Sequence, residues 1–219
     1  MHNVTVAFAA LPVMLLSYFF GCFNGSFMVS HFIIRDDVRK HGSGNAGLTN
    51  FYRTYGAKYA LLVIACDMGK TVAACLLGSF FFRCLGWDGT LGTLLAGLGC
   101  ELGHIFPVFY GFRGGKGILS GGTLVLLLNW RVAAVAWALF LLLWLTTRYV
   151  SLASITATCS APITVYFVYG HNWLYTGLCL AVAALVVWCH RENIQRLLHG
   201  TEKKFKWHVN PTEGKDPPQ

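Results

Sequence analysis

Four short segments of this chain gather glycines and polar side chains, and the first two carry groups suited to holding a phosphate. The first is HGSGNAGLTNFYRTYG, His41 to Gly56, where Ser43, Gly44, Asn45 and Asn50 precede Arg53. Glycines let backbone N–H groups approach an anion closely, and a guanidinium offers a planar fork that matches phosphate oxygens. The second is GFRGGKG, Gly111 to Gly117, which sets Lys116 beside Gly114 and Gly115. The third is RYVSLAS, with Ser151 and Ser154. The fourth is HRENIQRLLHGTEKK, opened by His190, Glu192 and Asn193. His190 and Asn193 stand three apart, so on a helix they share one face. Glu192 lies to one side of them, placed to pair with a cation. Taken singly, each segment has a plain structural reading: a tight polar turn, a solvated basic loop, a helix cap. Taken together they supply a fixed guanidinium, a mobile ammonium, several neutral donors and exposed backbone amides.

Better-known phosphate motifs do not fit. Gly42, Gly44 and Gly47 spell G-x-G-x-x-G, but a dinucleotide loop needs a buried strand before it and a βαβ unit around it. Here the glycines follow FIIRDDVRKH, an apolar stub and then charge. In GFRGGKG only three residues separate Gly111 from Gly115-Lys116, and Gly117 stands where a P-loop has Ser or Thr. His31 and Asp36 match H-x-x-x-x-D, an acyltransferase pattern in which the carboxylate orients a basic His, yet nothing else matches those mixed α/β enzymes. The eight cysteines form no C-x-x-C pair and read as buried apolar residues. No zinc site, cofactor or nucleic-acid partner is expected.

The elements that must position these segments are membrane helices. The chain of 219 residues is 55% hydrophobic and 12% charged, about half the charge of a soluble domain. A spanning helix needs about 20 apolar residues. By that measure seven spans are expected, near residues 6–32, 57–82, 90–109, 117–129, 132–146, 150–169 and 173–189. The fourth is short and glycine-rich, which suggests a tilted or partly re-entrant helix. The first has no basic leader or clean cleavage site and reads as a retained span. Residues 1–200 form one domain, and residues 201–219 a polar tail.

Alternating spans place fourteen of the seventeen Lys and Arg residues on the side of the His41 loop. The other side holds only Arg83 and Arg131, and Lys70 falls within a span. This asymmetry puts the N-terminus outside and the C-terminus in the cytoplasm. All four polar segments then share the cytoplasmic face. Within the spans, Asp67 and Lys70 stand three apart and are expected to form a mutual ion pair supporting the site. Glu101 and His104 are a second such pair, more suited to a structural hydrogen bond than to catalysis.

The order and spacing of GSGNAGLTNFYRTYG, GHIFPVFYGFRGGKG and HRENIQRLLHGTEKK, with DMGK (Asp67 to Lys70) and RYVSLAS between them, resemble the PlsY family. These are bacterial acyl-phosphate:glycerol-3-phosphate acyltransferases. The resemblance covers residues 10–204; Glu101 is its least family-like detail. It implies a seven-helix all-α enzyme of the cytoplasmic (inner) membrane that acylates the sn-1 hydroxyl of glycerol 3-phosphate, with acyl phosphate as donor. The products would be lysophosphatidic acid and inorganic phosphate, and the enzyme that makes acyl phosphate would be a functional partner. By motif position Ser43, Arg53, Lys116, Ser154 (or Ser151), His190 and Asn193 would contact substrate. Gly44, Asn45, Asn50, Gly114 and Gly115 would line the binding loops, and Asp67, Lys70 and Glu192 would support them. An acyl-CoA-dependent transferase and an organic-phosphate transporter are the alternatives.

Overall fold

The computed structural model describes the backbone of residues 2–206 and side chains from Phe8 onward. Trp207–Gln219, most of the expected tail, lie outside the described residues. Ten α-helices and no strand occur among them: α1 (His2–Cys22), α2 (Gly25–Met28), α3 (Leu48–Tyr55), α4 (Ala60–Cys84), α5 (Gly89–Ile105), α6 (Ile118–Leu128), α7 (Trp130–Thr147), α8 (Val150–Val168), α9 (Trp173–Cys189) and α10 (Arg191–Leu198). Helix α5 is the hub, packed against α1, α4, α6 and α9, while α7, α8 and α9 stack beside it. It is also the most buried of the candidate spans. Close approach is written into its glycines: a Cβ at Gly99 or Gly103 would strike the carbonyls of Met14 and Tyr18 on α1.

Five segments are long and apolar enough to cross a bilayer: Phe8–Ile34, Ala60–Cys84, Gly89–Tyr110, Trp130–Thr147 and Val150–Val168. A sixth candidate is α9, from which α10 turns away by 59°. The expected fourth span is represented by α6, whose 11 residues rise only about 16 Å, half the hydrocarbon thickness. It ends at Asn129, whose side chain accepts from the Arg131 amide and starts α7 at once.

The first span is interrupted. Chain hydrogen bonding breaks between Cys22 and Gly25, then resumes through α2 and a π-helical turn, Val29–Ile34. Such a break exposes carbonyls at one helix end and amides at the next. Lys70 Nζ donates to the Gly21 and Phe23 carbonyls at 3.1 and 3.0 Å. Asp67 Oδ1 accepts from the Gly25 amide at 3.0 Å. The two side chains pair with each other at 2.8 Å and are almost fully buried. The expected ion pair therefore exists and closes the break with the charge signs that the two helix ends favour. His104 completes the cluster, its Nδ1 2.8 Å from Lys70 Nζ.

Candidate active site

The break carries the first polar loop. Asn24 caps α2 by accepting from the Phe27 amide, and its side-chain amide donates to the Ala46 carbonyl at 2.9 Å. Asn50 shapes the loop from inside. Its Nδ2 donates to the Val38, His41 and Asn45 carbonyls, and its Oδ1 accepts from the Ser43 amide. Gly42 holds φ +60, and a Cβ there would meet Asn50 Oδ1, so both backbone freedom and lack of a side chain are needed. Asp36 pairs with His41 at 2.8 Å, while His31 stacks on Phe27. The H-x-x-x-x-D pattern thus makes no catalytic pair.

The second loop locks onto the first and onto α5. The Gly114 carbonyl accepts from the Ala46 amide and Asn45 Nδ2 at 3.3 and 3.4 Å. The amides of Gly114 and Gly115 donate to the Ile105 and His104 carbonyls, both at 3.1 Å. The two glycines expected to offer amides to phosphate spend them instead on the end of α5. Gly44 likewise donates to the His41 carbonyl within its turn. None of the three lines the cavity described next. What the second loop presents is Lys116, whose ammonium donates to Asn193 Oδ1.

A cavity of about 1240 Å³ opens between these loops and α6–α10. Its polar end is lined by Ser43, Asn45, Asn50, Arg53, Lys116, Ser154, His190 and Asn193, eight residues singled out from the sequence. Ser154 is 1% exposed, and its hydroxyl has no hydrogen-bond partner among the described residues. Ser151 also lines the cavity, but its hydroxyl donates to Glu202 Oε1 at 2.7 Å. Asp67 and His104 reach the same wall.

Burial pulls the Arg53 guanidinium below its ordinary pKa, with Glu202 opposing the shift. Burial and the Arg196 charge do the same to Lys116. His190 lies just past the end of α9, and its Nδ1 faces the Val186 carbonyl at 2.8 Å. Only an N–H can bond there, so the neutral ring keeps its lone pair on Nε2. Burial pushes its pKa to about 4.

Glu202, Arg196 and the chain beyond them are the parts sequence reasoning passed over. Glu202 accepts from Ser151, Asn193 Nδ2 and Arg196 Nε, each at 2.7 Å. Residues 201–206 form neither helix nor strand. The Lys203 carbonyl accepts from Arg53 at 3.1 Å, the Phe205 amide donates to the Arg148 carbonyl, and the Phe205 ring stacks on Tyr52 at 5.4 Å. This start of the expected tail lies along the cavity mouth. Glu192 stands apart: it is exposed, sits 3.8 Å from Arg196, and such surface pairs contribute little. The support expected of Glu192 comes from Glu202. The signal was available, since Glu202 lies within HRENIQRLLHGTEKK, but nothing in the sequence said the chain folds back.

The model of the family described as glycerol-3-phosphate acyltransferase matches residues 11–200. The chain belongs to this family. The acyltransferase is 38% identical over 193 residues to the glycerol-3-phosphate acyltransferase of Syntrophomonas wolfei, spanning 88% of this chain and 95% of that one. It is 40% identical to that of Alkaliphilus metalliredigens, spanning 89% and 95%. Its fold is similar to the crystal structure of PlsY, an integral membrane glycerol 3-phosphate acyltransferase, in the glycerol 3-phosphate form. The TM-score is 0.80 at 37% identity, covering 90% of this chain and 96% of that one. The lysophosphatidic acid form of PlsY gives a TM-score of 0.78 at 35% identity, with the same coverage. The chain is accordingly a PlsY-type integral-membrane glycerol-3-phosphate acyltransferase.

Proposed function

We propose that the acyltransferase moves a fatty acyl group from acyl phosphate to the sn-1 hydroxyl of glycerol 3-phosphate. The products are lysophosphatidic acid and inorganic phosphate. The observation that carries this reading is one cavity with a cationic, hydroxyl-lined end and an apolar interior between α6, α7, α8 and α9. Such a shape suits two phosphate groups at the membrane surface and an alkyl chain beneath them. PlsY crystallised in forms with glycerol 3-phosphate and lysophosphatidic acid supports the acceptor and the product.

In the proposed reaction Arg53 and Lys116 clamp the phosphates and neutralise charge as phosphate leaves. Ser43, Ser154 and Asn193 orient the glycerol and phosphate oxygens. The acceptor hydroxyl oxygen bonds to the acyl carbon, the bond from that carbon to the phosphate oxygen breaks, and the hydroxyl proton passes to a phosphate oxygen. Acyl phosphate is a mixed anhydride with a good leaving group, so no covalent enzyme intermediate is required. Placing the two substrates together supplies much of the rate. A second reading makes His190 the base, and its free Nε2 favours that. The phosphate oxygen, with a pKa of about 6, is the better acceptor at neutral pH than an imidazole held near 4.

The site faces the cytoplasm of a bacterial inner membrane in this reading, with seven crossings and the N-terminus outside. The excess of Lys and Arg on the side of the four polar segments supports that placement. The test incubates purified protein with glycerol 3-phosphate and either palmitoyl phosphate or palmitoyl-CoA. Lysophosphatidate is expected from palmitoyl phosphate; product from palmitoyl-CoA alone would sink the donor assignment. In the same assay His190→Ala should weaken binding and keep the acidic limb of the turnover pH profile. Loss of that limb would make His190 the base.

A further inference from the structure

Below the polar end of the cavity, neighbouring helices each contribute one stripe to the wall. On α8 the stripe runs Ser154, Thr158, Ala161; on α9 it runs Val182, Cys179, with His190 capping the end above them. Helical spacing keeps each stripe on a single face. From Ser154 to Ala161 the wall descends about 10 Å, and from His190 to Cys179 about 16 Å, at 1.5 Å per residue.

The lining ends at Val125, Ala136, Ala161 and Cys179, none more than 8% exposed. All four belong to one packed cluster with Leu94, Val132, Val165 and Tyr175 behind them. Leu94, Val132 and Val165 are at most 1% exposed, so the core behind this floor is closed. The wall beside it is held in place, because Trp137 Nε1 donates to the Gly122 carbonyl at 3.3 Å.

The geometry points to a ruler: the floor of Val125, Ala136, Ala161 and Cys179 sets which acyl chain length the enzyme uses best. This inference rests on the acyl-transfer reading above. An acyl chain entering from lipid gains little from apolarity, since lipid tails are as apolar as the wall. Selection must come from fit. A chain too short leaves a void above the floor, and a chain too long must overpack it or bend back out. Small residues at the bottom, Ala136 and Ala161, set the depth.

The experiment gives the full-length protein glycerol 3-phosphate with an equal mixture of acyl phosphates from decanoyl to stearoyl. Mass spectrometry reads the chain-length distribution of the lysophosphatidate formed. A parallel reaction uses the matching acyl-CoA mixture. Ala161→Leu raises the floor and is expected to shorten the optimum by about two carbons, disfavouring the wild-type optimum about tenfold. Val125→Ala lowers the floor, tolerates folding more readily, and is expected to lengthen the optimum. The KM for glycerol 3-phosphate should stay unchanged in both. A wild-type distribution in Val125→Ala, or shifts of both variants in the same direction, overturns the ruler. Product from the acyl-CoA mixture alone overturns the donor assignment instead, while its chain-length distribution still reads the floor.

Discussion

Arg53 and Lys116 are half-buried cations on the cavity wall, each already tied to another part of the site: Arg53 to the Lys203 carbonyl and Lys116 to Asn193. If they neutralise the leaving phosphate, Arg53→Ala should lower kcat/KM by about 10²–10³. Arg53→Lys should restore little, because an ammonium lacks the planar fork; steady-state kinetics with acyl phosphate decide it. Glu202 makes a prediction of opposite sign, about stability rather than rate. Burial pushes its carboxyl up, but the hydrogen bonds from Arg196, Asn193 and Ser151 prevail and hold it below its ordinary value of 4.5. A carboxyl depressed on folding contributes stability that is fully present above its unfolded pKa and is lost as pH falls through the folded one. Thermal unfolding in detergent should therefore show an acid limb beginning below about pH 4.5 that flattens in Glu202→Gln.

At the scale of elements, the broken first span is the feature on which the site hangs. Asp67 and Lys70 satisfy the helix ends on either side of the break, Asn24 reaches from it to Ala46, and Ala46 reaches to Gly114. Lys70→Met leaves Asp67 buried without its cation and should cost about 3–5 kcal/mol. Replacing both charges together should recover part of that loss, measured as unfolding midpoints of the single and double variants. The α1–α5 contact is equally unforgiving. Gly103→Val should destabilise the protein because no side-chain rotation can relieve a clash with the Tyr18 carbonyl. Helix α6 shows how little an element's length alone decides. Eleven residues cannot cross a bilayer, yet α6 starts directly after Gly117, whose φ is +82, and so carries Lys116 to the cavity.

The whole molecule gathers its polar segments at one end of the bundle. Contacts such as Arg53 to Lys203 and Lys116 to Asn193 join parts of the chain up to 150 residues apart. If that end faces the cytoplasm, a cysteine placed at His171 in a cysteine-free background should react with an impermeant maleimide added outside intact cells. One placed at Lys58 should react only after permeabilisation. The reverse pattern would invert the orientation.

Much of this was legible without coordinates. Six of the seven expected spans match a helix to within a few residues, because lipid demands long apolar runs and internally bonded backbone. Seven of the eight cavity residues were legible because cationic and polar side chains cluster in compact segments beside the apolar runs, and Ser154 was legible only through the family resemblance. The roles of Gly114 and Gly115 were not legible. Whether a loop amide faces a ligand or a neighbouring helix end is a matter of packing, and here the end of α5 takes both. Glu202 was missed for a related reason: a charged residue in a basic tail looks solvated until the chain turns back. By itself the sequence determined the solvent, the helices and the polar segments that end them, since each follows from local composition and spacing. Only the tertiary structure decided the break in the first span, the floor of the apolar cavity and the fold-back of residues 201–206, because each depends on contacts between distant segments.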